Sequence, residues 1–141
     1  MKYLFLLRHA KSSWSDPGIS DQQRPLNKRG RHDAPVMGSR LKERDECPDL
    51  ILTSPAIRAR DTAELFADAC GYSPEGIVEQ AELYFSSSRS IEDIIAGQDD
   101  QIQSLMLVFH NPDITNIANS VGGMIQIDNV PTCGLLKLAC S

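Results

Sequence analysis

Apolar residues along this chain come in short blocks whose spacing switches between strand and helix periods. Tyr3 to Leu7 is an unbroken apolar run, the mark of a strand covered on both faces. Residues 10–29 are polar, contain Pro17, Gly18 and Pro25, and read as a long ordered loop, which in a compact domain is often functional. Gly30, Ala34, Met37 and Leu41 repeat at helical spacing and predict a helix over about 29–44, with Pro48 closing that region. Leu50-Ile51-Leu52 reads as the second strand. Ser54-Pro55 then opens a helix, with Ser54 as N-cap and Pro55 at the first helical position. Ala59, Ala63, Phe66 and Cys70 form its buried stripe, and Gly71 signals its end.

Gly76-Ile77-Val78 begins a short third strand, and Ser90 caps a helix carrying Ile91, Ile94 and Ile95 that Gly97 closes. Leu105 to Phe109 is the next strand. Asn111-Pro112 starts a further helix with Ile114, Ile117, Ala118 and Val121 on one face, ended by Gly122-Gly123. Leu135 to Leu138 reads as the last strand. Strands alternating with helices predict a single α/β domain over 1–141, a three-layer sandwich with a mostly parallel central sheet. In such sheets ligands bind beyond the carboxyl ends of the strands.

Composition narrows the function classes. The chain has 141 residues, 41% hydrophobic and 23% charged, the balance of a globular protein and not of a disordered one. No apolar run approaches the ~20 residues that cross a bilayer. The net charge of −5 argues against a nucleic-acid or anionic-membrane partner, which favours a basic protein. Cys47, Cys70, Cys133 and Cys140 match no zinc spacing; Cys70, Cys133 and Cys140 lie in apolar surroundings and read as buried free thiols, fitting a reducing compartment. The start, Met1 to Leu7, has an apolar run of five residues, shorter than the ~7–15 of a signal peptide. A cytoplasmic, monomeric protein is expected.

Three short motifs follow predicted strands: Arg8-His9, Ser54 to Arg58, and His110-Asn111-Pro112. Arg8 and Arg58 stay charged and carry forked donors that match phosphate oxygens. His9 and His110 can attack, donate or accept near neutral pH. Arg58 and His110 also lie at predicted helix N-termini, which attract anions. Each residue has a plainer explanation: a structural histidine for His9, an ion pair with Asp61 or Glu64 for Arg58, a loop hydrogen bond beside an Asn111 N-cap for His110. Four such residues at three strand ends favour a common site for a tetrahedral dianion, and so phosphoryl transfer.

These residues also carry a resemblance. Arg8-His9-Ala10-Lys11 resembles the R-H-G signature of the histidine phosphatase superfamily, which has the phosphoglycerate-mutase-like fold. Ser54-Pro55-Ala56-Ile57-Arg58-Ala59-Arg60-Asp61-Thr62-Ala63 resembles its S-x-x-x-R-A-x-x-T-A segment, and Val108 to Pro112 its G-H-N-P or G-H-D segment. Asp21-x-x-Arg24-Pro25-Leu26-x-x-Arg29-Gly30 is similar to an element of the small SixA-type phosphohistidine phosphatase branch, as is Pro131-Thr132. The resemblance implies that His9 is the nucleophile and becomes a phosphohistidine, while Arg8, Arg58 and His110 clamp the phosphoryl group. It places Ser15 where many members have a phosphate-touching Asn. It implies no metal and no other cofactor.

The chain departs from the pattern at Ala10 and Phe109, which replace glycines, and in its general acid. Members acting on phosphomonoesters carry a carboxylate just after the second His or before the fourth strand; here the first place holds Asn111, and near the second only Glu82 offers itself, with a surface carboxylate as its alternative. Asp113 is read as stabilising a helix start. A site short of an acid still suits the labile P–N bond of phosphohistidine, whereas an alkoxide needs a proton to leave. The expected substrate is therefore phosphohistidine on a protein. The alternatives are a small phosphorylated substrate of a monoesterase or mutase, and a non-catalytic phosphoprotein-binding module.

Overall fold

The computed structural model describes residues 2–122 and 126–140. Its five strands are β1 (Lys2–Arg8), β2 (Leu50–Thr53), β3 (Val78–Glu79), β4 (Ser104–Phe109) and β5 (Leu135–Cys140); its helices are α1 (Lys28–Glu43), α2 (Ile57–Cys70), α3 (Ser88–Ala96) and α4 (Asp113–Val121). The sheet runs β3-β2-β4-β1-β5, parallel except for β5, which lies antiparallel to β1. The expected three-layer α/β sandwich is what the chain forms.

The layers follow from strand alternation. Phe5, Leu7, Ile51, Met106 and Val108 face a core shared with α1 and α2. Leu4, Leu6, Leu52, Leu105, Leu107 and Phe109 face the other core, shared with α3 and α4. A strand with apolar residues on both faces can only sit between two helical layers, which is why β1 and β4 read as continuous apolar runs. No helix among the described residues is long and apolar enough to cross a membrane.

Several element ends differ from expectation. Helix α2 starts at Ile57 with Ala56 as N-cap, not at Ser54-Pro55, because Ser54 N–H still donates to Val108 O and extends the β2 ladder. Helix α3 is capped by Ser87, whose Oγ accepts from Ser90 N–H, so Ser90 occupies the third helical position and does not cap. Helix α4 begins at Asp113, and Asn111 does not act as its N-cap residue; its Oδ1 reaches forward to accept from Thr115 N–H and Oγ1–H. Val121 is partly exposed, Gly76 belongs to a 3-10 turn ahead of β3, and the expected stop at Gly123 lies outside the described residues. Cys70 is not a free thiol. It is joined to Cys47 as a disulfide, since the end of α2 packs beside the loop leading into β2, and this removes the cysteine argument for a reducing compartment.

Topology sets the site. The chain steps outward from β1 to β2 to β3, then returns to insert β4 between β1 and β2. Ligands bind at such a reversal of strand order, where the flanking loops part. The carboxyl ends of β1, β2 and β4 are level there: Arg8 pairs with Phe109, Thr53 with Val108, and His9 N–H donates to Phe109 O.

Candidate active site

A cavity of about 260 Å³ opens beyond these strand ends, and Arg8, His9, Arg58 and His110 all line it. Each comes from a different local device. Arg8 is the last residue of β1, its Nη1–H donating to Val130 O at 2.8 Å. His9 follows, its backbone pinned by Cys133 N–H, which donates to His9 O at 3.1 Å. Arg58 stands in the first turn of α2, and His110 is the residue after β4. The two imidazole centroids are 5.2 Å apart. Thr62 ties two of these pieces together: its Oγ1–H donates to Arg58 O, and its Oγ1 accepts from Ala10 N–H at 2.9 Å. Gly30 lets α1 press on the next stretch of loop, because a Cβ there would meet Lys11 O at 2.2 Å.

The remaining expected residues lie elsewhere. Ser15 is exposed, shares a hydrogen bond with Ser13 and is not among the cavity-lining residues. Glu82 is exposed, accepts from Gln80 Nε2–H and also stays outside. Arg58 does not pair with Asp61 or Glu64; it reaches Asp21. Asp113 Oδ2 accepts from Ser86 N–H, fastening the loop after the 3-10 turn Ala81–Leu83 onto α4.

A family profile described as the histidine phosphatase superfamily (branch 1) matches residues 4–103. The chain belongs to that superfamily. An uncharacterised chloroplastic protein of Arabidopsis thaliana is 33% identical over 114 residues, covering 81% of this chain and 50% of that protein. The chain thus spans about half the length of that relative. A solved structure assigned as the phosphohistidine phosphatase SixA of Agrobacterium tumefaciens superposes with a TM-score of 0.80 at 33% identity, over 96% of this chain and 90% of that one. A protein histidine phosphatase SixA complexed with tungstate has a TM-score of 0.87 at 21% identity, over 97% and 87%, a likeness of fold.

In this superfamily member both rings are held well below the ordinary histidine range and so are neutral at pH 7. Burial pushes His9 down to about 4; a bond to the Ala10 carbonyl opposes that, and the charges of Arg58, Arg8 and Arg24 add to it. Because a carbonyl only accepts, the 2.7 Å contact makes His9 Nδ1 the protonated nitrogen and leaves Nε2 with its lone pair. His110 is pushed down to about 3 by burial, the His9 ring and Arg58. Its Nε2 lies 2.8 Å from Ser54 Oγ, which already accepts from Ala56 N–H. Among the described residues His110 Nε2 is the acceptor left for the Ser54 hydroxyl proton, so Ser54 donates and His110 carries its hydrogen on Nδ1.

Three buried side-chain nitrogens have no partner among the described residues: Arg8 Nε, Arg58 Nε and His110 Nδ1. All three belong to cavity-lining residues. An unmet buried donor costs about 1–3 kcal/mol, and an oxyanion is the acceptor that satisfies several at once.

Sequence reasoning recognised the Asp21-to-Arg24 element but gave it no role. Asp21 is a hub of the site. Its Oδ1 accepts from Arg24 Nη2–H at 2.8 Å, its Oδ2 from Arg58 Nη2–H at 3.0 Å and Tyr84 O–H at 2.7 Å, and its backbone O from Arg58 Nη1–H at 2.6 Å. Burial raises its pKa, but the bonds from Arg24, Tyr84 and Arg58 overturn that and hold the carboxyl far below the usual carboxylate range. Arg24 also donates to buried Ser12. Tyr84 and Phe85 were given no role, because their contacts with Asp21 and His110 join residues far apart in sequence and leave no local signal.

Proposed function

We propose that this histidine phosphatase hydrolyses N-phosphorylated histidine on a protein through a phosphoryl group carried on His9. The carrying observation is the His9 ring: neutral, with Nδ1–H committed to Ala10 O and Nε2 free in a pocket lined by Arg8, Arg58 and His110. Nε2 attacks phosphorus and forms the new P–N bond. The substrate's P–N bond breaks, and its electron pair returns to the leaving ring nitrogen. The positive charge that develops on His9 is spread over the ring and held by Ala10 O. Arg8, Arg58 and His110 Nδ1–H meet the charge on the equatorial oxygens. Water then attacks the phosphorus, the pair returns to Nε2, and the water's proton leaves with phosphate or solvent.

The pocket supports a leaving group that needs no strong acid. Asp21 is the one carboxylate among the lining residues, and Arg24, Tyr84 and Arg58 keep it ionised, so it is unable to donate a proton at neutral pH. An imidazole with its distal nitrogen protonated departs as a neutral molecule, whereas an alkoxide does not. The mouth between Trp14 and Phe85 is open, which suits a side chain presented on another protein.

Incubation with ³²P-phosphoramidate tests this. Label stable to alkali and lost in acid is expected on wild type and absent from His9→Ala. Phosphate release by His9→Ala at the wild-type rate overturns the nucleophile assignment. Turnover of alkyl phosphates as fast as phosphohistidine peptide overturns the leaving-group argument.

A further inference from the structure

Two of the exposed large apolar side chains, Trp14 and Phe85, line the catalytic pocket. Trp14 is 76% exposed, yet one face of its indole is covered by Arg24, whose guanidinium carbon lies 3.8 Å from the ring centroid. Phe85 is 49% exposed and stacks on His110 with centroids 5.0 Å apart and planes at 25°. Its backbone is left-handed, with φ 53°. That conformation is a genuine outlier for a bulky residue and persists only where neighbours impose it. Here the neighbours are identifiable: Tyr84 is held by Asp21 on one side, and Ser86 N–H by Asp113 on the other.

An exposed aromatic ring in a strained backbone does little for the core. Both rings instead rest one face on a residue of the phosphoryl site and leave much of their surface open at its mouth. With the phosphoryl group held by Arg8 and Arg58, whatever is bonded to it must occupy that mouth. We infer that Trp14 and Phe85 are specificity residues that receive a planar aromatic leaving group, the imidazole of phosphohistidine, by stacking. This rests on the N-phosphoryl reading above and adds the residues that would make the choice of leaving group. Aromatic pairs in offset or edge-on geometry gain enough beyond area burial to change a rate constant by about three- to tenfold.

The test compares N-phosphoimidazole with phosphoramidate, which share the P–N bond and differ in the ring. Phe85→Gly and Trp14→Ala are each expected to lower kcat/KM for N-phosphoimidazole by about three- to tenfold more than kcat/KM for phosphoramidate. Glycine accepts the left-handed backbone, so Phe85→Gly should still fold cooperatively despite losing the ring's contact with His110, and Phe85→Tyr should keep the preference. An equal fall for both substrates, or no fall for either, overturns the inference while leaving the phosphatase intact. Loss of His9-dependent turnover of both compounds in wild type is a different result: it removes the N-phosphoryl reading, and this inference with it.

Discussion

Replacing Ser54 with alanine removes the hydroxyl that decides which His110 nitrogen carries the proton. The group is fully buried, 2.8 Å from His110 Nε2 and 3.2 Å from Ala56 N. With His110 pushed down to about 3, its ring cannot answer the loss by taking up a proton at pH 7. A buried nitrogen stripped of its donor costs about 1–3 kcal/mol. For a chain of 141 residues, each kcal/mol lowers the melting temperature by about 4 °C, so Ser54→Ala should melt about 4–12 °C lower. Catalysis suffers separately. A hydrogen bond from Nδ1–H to a charged oxygen is worth about 1.5–3 kcal/mol, and its complete loss corresponds to about 10–150-fold in rate. Equal mixing of the two tautomers leaves about half of the enzyme in the competent form, so kcat/KM for phosphoramidate should fall by about twofold or more. Long-range proton–nitrogen correlation spectra of the wild-type imidazoles read the tautomer directly. A proton on His110 Nε2 in wild type refutes the reasoning, as does a Ser54→Ala protein with unchanged melting and turnover.

Three further predictions follow from the same geometry. Because His9 and His110 sit near 4 and 3 in the fold, against 6.5 for ordinary histidine, the unfolded chain binds more protons below pH 6.5. Stability should be full above that pH and fall by about 2–5 kcal/mol between pH 7.5 and 4.5 in urea titrations, and His9→Gln with His110→Gln should flatten the slope; an unaltered slope rejects the assignment. Gly30→Ala drives a methyl group into Lys11 O and should cost about 1–3 kcal/mol by chemical denaturation, with activity falling as the loop after His9 shifts. The bond to Asp21 raises the Tyr84 phenol above its ordinary value, so Asp21→Asn should let Tyr84 ionise at lower pH, seen in its ultraviolet absorbance.

Much of this protein was legible without coordinates. Continuous apolar runs announced β1 and β4 as strands covered on both faces, and the 3.6-residue stripes of α1 and α2 announced the layer that covers one of them. Arg8, His9, Arg58 and His110 could be singled out because each immediately follows a strand or opens a helix, a local property. Helix starts were less legible: Ser54, Ser90 and Asn111 have capping chemistry, but Ser54 is held by His110 and the β-ladder, while Ser90 and Asn111 bond within their own helix starts. Ser15 and Glu82 were placed by resemblance alone, and neither reaches the cavity.

What the sequence determined by itself is therefore periodic burial and the order of chemistry-bearing residues along the chain, since both are carried by neighbours a few positions apart. The tertiary structure decided that β4 inserts between β1 and β2, that Asp21 crosses 37 positions to hold Arg58, and which nitrogen of each histidine is bare. Those outcomes depend on groups distant in sequence competing for the same donors and acceptors in a buried space, and local pattern holds no record of that competition.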